Sequence, residues 1–109
     1  MSRKQLFYVL NELGEAVPAK DVVEWMSWQQ SVRSSKILFR DVIGTIEVST
    51  TFTGINYSPD DQQPPQVWET MIFGSQYDNT VSRYATKEEA STGHKKIVDR
   101  IKLEVKQTA

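Results

Sequence analysis

Glu69 and His94 are the two residues of this sequence whose types could do chemistry together. Glu69 is a carboxylate in the middle of "QVWETMIFG" (Gln66–Gly74), and His94, the single histidine, lies in a helical stretch near the end. A carboxylate and an imidazole within hydrogen-bond reach can exchange protons, as general acid–base catalysis requires. Each also has a plainer reading. Strand alternation puts Val67, Glu69, Met71 and Phe73 on one face and Trp68, Thr70 and Ile72 on the other, and both rows are largely apolar. Glu69 is then a solvated residue with Trp68 and Ile72 inward, a buried carboxylate satisfied by His94, Arg83 or a helix end, or a ligand-binding or catalytic group. A buried carboxylate would need such a partner, because an unpaired one is costly. His94 on an apolar helical stripe reads more simply as a hydrogen-bonded core histidine.

A second constellation is aromatic and basic. Tyr57, Trp68, Tyr77 and Tyr84 fall at strand ends or near loops, with Arg83 close by. Such a rim could stack a base and hold a phosphate, although core and edge packing accounts for the same residues. The candidate ligand-binding set is therefore Glu69, Arg83, His94, Tyr57, Trp68 and Tyr84. No GxSxG or P-loop occurs, and Ser and Thr are scattered. Without cysteine and with one histidine, thiolate and multi-histidine metal sites are excluded. The expectation is a protein with no catalytic residues, metal or cofactor.

The elements that must position these residues read as follows. "QLFYVL" (Gln5–Leu10) is a strand, "NELG" (Asn11–Gly14) a turn, and "GEAVP" a brief return strand before Pro18. In "AKDVVEWMSWQQS", Val22, Trp25, Met26 and Gln29 follow the i, i+3, i+4, i+7 template of an amphipathic helix. "SKILFRDVIGTIEVSTTFTGIN" gives two strands with a turn near Asp41–Gly44, and Ile46, Val48, Thr50 and Phe52 alternate with polar residues. "NYSPDDQQPP" (Asn56–Pro65) holds three of the four prolines and reads as a mobile surface loop bordering any binding site. After Gln66–Gly74 come a turn at Ser75–Thr80 and a short edge strand, Val81–Ala85. "TKEE" (Thr86–Glu89) is a capping box that opens a helix to about Lys106. Ala90, Ile97, Ile101 and Val105 line one face of it, with Gly93 and His94 inside the stripe. A glycine there predicts close approach to a strand or a bulky ring.

The order β-α-β-β-β-β-α predicts a single α+β domain over residues 1–109, an antiparallel sheet of four to five strands with two helices. The row Ile46, Val48, Thr50, Phe52 needs a matching row beside it. Val67, Met71 and Phe73 could supply it, which would carry Glu69 inward, toward the last helix and within reach of His94 or Arg83.

Thirteen basic residues against fourteen acidic ones give a net charge of −1, without the basic excess of a general phosphate-backbone binder. No apolar run approaches the ~20 residues of a membrane span, and the opening residues lack a signal-peptide core, so a cytoplasmic protein is expected. Trp25, Trp28 and Trp68 are hard to bury together in a small core, and the Val81–Ala85 edge is open to pairing, which predicts a homodimer.

"VSTTFTGI", "WETMIFG" and "RYATKEEASTGH", in that order, resemble a family of small uncharacterised proteins of tailed phages and prophages. The opening "FYVLNELGEAVPAKDVVEWMSW" resembles the openings of its members, so the likeness spans nearly the whole chain. Where members often carry a histidine after the long strand, this chain has Asn56 and Tyr57. Where they often carry tryptophan in the last helix's first turn, it has Lys87. The resemblance implies a phage origin more than a chemistry. With the missing catalytic motifs, it makes the expected function that of a host-takeover or anti-defence binder. The target would be a host protein or a sequestered nucleotide-like signal in the host cytoplasm. The alternative is a small acid–base enzyme using Glu69 and His94.

Overall fold

The computed structural model describes residues 5–32, 37–59, 62–74 and 81–108. The elements are β1 (Tyr8–Leu10), β2 (Ala16–Pro18), α1 (Val22–Val32), β3 (Ile37–Ile43), β4 (Ile46–Phe52), β5 (Trp68–Phe73), β6 (Val81–Tyr84) and α2 (Lys87–Thr108). This is the expected α+β order with the brief return strand present as β2. The four long-chain strands form one antiparallel sheet in the order β3-β4-β5-β6, and β1 and β2 pair separately. The turn expected at Ser75–Thr80 lies outside the described residues.

Local chemistry explains the boundaries. The Asn11 side-chain oxygen accepts from the backbone N–H of Leu13 and of Glu15, which closes the β1–β2 turn. β3 continues through Asp41 to Ile43, and the chain reverses at Gly44, whose φ of 63° few other residues adopt. Asp21 caps α1 by accepting from the Glu24 N–H at 2.9 Å, and Thr86 caps α2 by accepting from the Glu89 N–H at 3.0 Å.

The β1–β2 hairpin is tied to the end of the main sheet. Tyr8 N–H donates to Gly54 O and Asn56 N–H to Leu6 O, and Phe7 bridges Ile55. The loop after this junction departs from its expected character at the start. Asn56 and Ser58 are buried, not surface residues. The Asn56 side chain accepts from Ser58 and from the Gln66 N–H, and donates to Gln5 O. One amide thus closes the base of the loop onto the hairpin, which satisfies polar atoms that burial would otherwise orphan.

α2 lies across one face of the main sheet. Cross-strand partners share a face, so the register places Ile43 and Ile46, then Asp41, Val48 and Ile72, then Phe39, Thr50, Thr70 and Ser82, then Phe52, Trp68 and Tyr84 beneath it. Val48, Ile72, Val98 and Ile101 form one buried cluster; Tyr8, Phe52, Val67, Trp68 and Ala90 form the other. The helical stripe is therefore Ala90, His94, Val98 and Ile101. Val105, expected to continue it, is 40% exposed.

α1 also turns differently from its apolar pattern. Val22 and Met26 are exposed, and Trp25, Trp28 and Gln29 face inward. Aromatic packing decides this: Trp25 meets Phe7 at 5.0 Å and Trp28 meets Phe52 edge-on at 5.4 Å. Trp68 is buried and the other two tryptophans are half-buried, so the core takes all three and they do not form the exposed cluster that the dimer expectation rested on.

Candidate functional site

The residues predicted as one site fall on the two faces of the main sheet. β5 alternates with Trp68, Thr70 and Ile72 buried, so Glu69, Met71 and Phe73 point away from α2. The expected inward Glu69 is thereby corrected. The inward row of β4 is matched by Trp68, Thr70 and Ile72, one residue out of phase with the row anticipated for it. Of the three anticipated residues, Val67 alone is buried, just before β5 begins. Glu69 and His94 do not meet, and the acid–base pair is not formed.

Glu69 instead pairs with its cross-strand neighbour Arg83, Nε to Oε2 at 3.4 Å. The Arg83 guanidinium lies 4.1 Å from the centre of the Tyr57 ring. The carboxylate side chain keeps 14% of its surface in contact with solvent and the arginine 40%. This trio stands at one end of an open sheet face. Toward the other end, Ser49, Met71 and Val81 share a cross-strand row with Arg40, and Val42 and Phe73 flank Glu47 in the next. Arg40 donates to Glu47 at 2.7 Å, and this contact holds the Glu47 carboxyl below its ordinary value and the Arg40 guanidinium above its own. Val42, Phe73 and Tyr57 are exposed. No described helix packs on this face.

His94, Trp68 and Tyr84 belong to the other face. Trp68 is core. The Tyr84 ring lies on Gly93: a Cβ there would stand 2.4 Å from the ring, the close approach that the glycine predicted. His94 is 4% exposed, and its ring bridges the sheet's interior to its surface. Nδ1 lies 2.7 Å from the Thr50 hydroxyl, which in turn bonds the Thr70 hydroxyl, and Nε2 lies 2.7 Å from Asp41 Oδ2. With Asp41 ionised it can only accept, so Nε2 carries a proton. In the neutral ring, Nδ1 accepts from Thr50, and Thr50 accepts from Thr70. Every proton of the chain then points toward Asp41. Thr50 and Thr70 are 0% and 1% exposed, so neither hydroxyl is placed to attack a substrate. The arrangement satisfies two threonines that the sheet turns into its core. His94 is a core histidine with partners.

Because α2 runs along the middle of the sheet, it leaves a groove over each edge strand. The groove over β3, about 360 Å³, is lined by Asp41 and Asp99 together with His94, Lys95 and Lys102, so its charges compensate one another. The groove over β6, about 390 Å³, is lined by Ser82, Tyr84, Gly93, Lys96, Ile97 and Arg100. Of these, only Tyr84 belongs to the set read from the sequence. Lys96 and Arg100, four apart on α2, were a legible signal, as was Thr70 opposite Thr50. Asp41 was not, because its segment read as a turn. Tyr77 lies outside the described residues.

No protein-family model, curated protein or solved structure matches this chain. Among the described residues, no helix is long and apolar enough to cross a membrane.

Proposed function

We propose that this chain is a small binding protein whose open sheet face recognises a partner protein, in keeping with its resemblance to phage proteins a protein of the host. The observation that carries the reading is the held arginine. Arg83 is stacked on Tyr57 and paired with Glu69, yet much of its side chain remains exposed. An arginine fixed in this way loses less side-chain entropy on binding than a free one. Arginine and tyrosine are also the residue types that most often carry interface energy. Met71, Val42 and Phe73 supply apolar surface beside it, with the Arg40–Glu47 pair among them.

The acid–base alternative loses its pair, because Glu69 and His94 stand on opposite faces of the sheet. A second copy of the chain is the other occupant this face could take, and it would make the expected homodimer.

Comparative capture from bacterial lysate tests the reading. Wild type and Val23→Asp, which alters the outer face of α1, should retain the same protein. Arg83→Glu and Phe73→Asp should release it while keeping the parent circular dichroism. Capture that survives both sheet-face changes would overturn the assignment. Sedimentation at micromolar concentration reads the second copy: a particle of twice 12.5 kDa that Phe73→Asp dissociates assigns the face to self-association.

A further inference from the structure

We infer that the groove between β6 and α2 is a binding site for a small phosphate-bearing ligand of about mononucleotide size. Four features converge there. Lys96 and Arg100 stand one helical turn apart on the groove wall. Among the described residues neither forms an ion pair, and the groove over β3 differs in having Asp41 and Asp99 in its lining beside its lysines. Ser82, which shares its cross-strand row with Thr70, directs its hydroxyl to the α2 side, and the Tyr84 hydroxyl lies at the Gly93 backbone. Among the described residues, no carboxylate lines the groove. Glu89 and Glu104, on the same helical stripe, stand one turn beyond Gly93 and Arg100.

Two cations and two hydroxyl donors around one concavity match the oxygen-rich surface of a phosphate, and a guanidinium can meet it with two parallel hydrogen bonds. Ile97 and the Tyr84 ring add apolar surface that a free phosphate would not use and a nucleoside would. The volume of about 390 Å³ falls in the range of small-ligand pockets. The near-neutral net charge is no obstacle, since a single phosphate needs local charge only. Gly93 contributes through what it lacks: any side chain there would displace Tyr84 from the groove.

The test is an NMR titration of the full 15N-labelled chain with AMP, inorganic phosphate and adenosine in separate arms. AMP should give saturable shifts centred on Ser82, Tyr84, Gly93, Lys96 and Arg100. Phosphate should shift the same signals at higher concentration, and adenosine should leave them in place. Lys96→Gln and Arg100→Gln, both at exposed positions, should each weaken AMP by about tenfold, the loss of one charge-assisted contact. Lys95→Gln and Lys102→Gln, on the opposite groove, should not. Saturation by phosphate alone with no gain from the nucleoside would overturn the nucleotide-sized ligand. Absence of saturable shifts, or equal losses in the Lys95 and Lys102 variants, would overturn the site. None of these readouts involves the open sheet face, so the two readings fail separately.

Discussion

The two faces of the main sheet hold their polar residues under opposite conditions. Beneath α2, Thr50, Thr70 and His94 are 0%, 1% and 4% exposed and form one connected chain. On the open face, Arg40 and Arg83 keep 57% and 40% of their side chains in solvent, and each holds one carboxylate. A buried polar group that loses its partner bears the full cost of desolvation, whereas an exposed one exchanges it for water. The covered face therefore holds the fold together, and the open face keeps its charged side chains in solvent. The expected effects descend from the first to the second.

The largest effect should follow from His94→Leu. It keeps volume but removes the acceptor of the Thr50 hydroxyl, and should cost about 1–3 kcal/mol in chemical denaturation. Adding Thr50→Val and Thr70→Val makes the whole chain apolar and should restore most of that loss. If the triple variant is no more stable than His94→Leu, the network is not what ties these residues together.

Gly93→Ala comes next and also acts on the covered face. Alanine favours a helix by ~1 kcal/mol over glycine. Its Cβ would stand 2.4 Å from the Tyr84 ring, however, and overpacking of this kind typically costs about 1–3 kcal/mol. The net change should be destabilising. In a Tyr84→Leu background the sign should reverse and Gly93→Ala should stabilise. Destabilisation in both backgrounds would remove the ring as its cause.

What the sequence disclosed follows the same division. α2 was legible in its cap and in the glycine under a ring, since Thr86 and Gly93 each have one local explanation. β4 was legible because its rows differ, Val48 and Phe52 against Glu47 and Thr53. β5 was not, because Val67, Met71 and Phe73 are as apolar as Trp68 and Ile72, and a slip of one residue leaves the pattern almost unchanged. The deciding residue was Thr70, whose hydroxyl belongs opposite Thr50. The position of Asp41 depended on β3 pairing through to Ile43, in a segment whose local pattern reads as a turn. The six residues grouped from the sequence are therefore divided by the sheet: Glu69, Arg83 and Tyr57 meet on the open face, and Trp68, Tyr84 and His94 lie on the covered one.

On the open face the effects should be small. The Glu69–Arg83 contact is long at 3.4 Å and its arginine keeps 40% of its side chain in solvent, so a double-mutant cycle with Glu69→Gln and Arg83→Met should return a coupling below ~1 kcal/mol. A coupling above that would mean that the face is covered in solution, as a second copy would cover it. Repeating the cycle over a range of concentrations separates the two cases, because self-association makes the coupling grow with concentration.

Arg40 and Glu47 should give the smallest effect and show it only in acid. Their hydrogen bond lowers the Glu47 carboxyl from its ordinary value of 4.5. A carboxyl depressed in the folded state binds its proton later than in the unfolded state, so its contribution is complete above the unfolded value and fades as pH falls through the folded one. The raised Arg40 guanidinium adds no pH dependence in this range, because it remains protonated in both states. Glu47→Gln should therefore leave the neutral-pH denaturation midpoint nearly unchanged and flatten the loss of stability below about pH 4.5, where the unfolded carboxyl begins to protonate. Val42 and Phe73 flank Glu47 across the sheet. If the substitution instead shifts the midpoint at neutral pH, those neighbours bury the pair more deeply than an open face allows, and this end of the sheet belongs with the covered one.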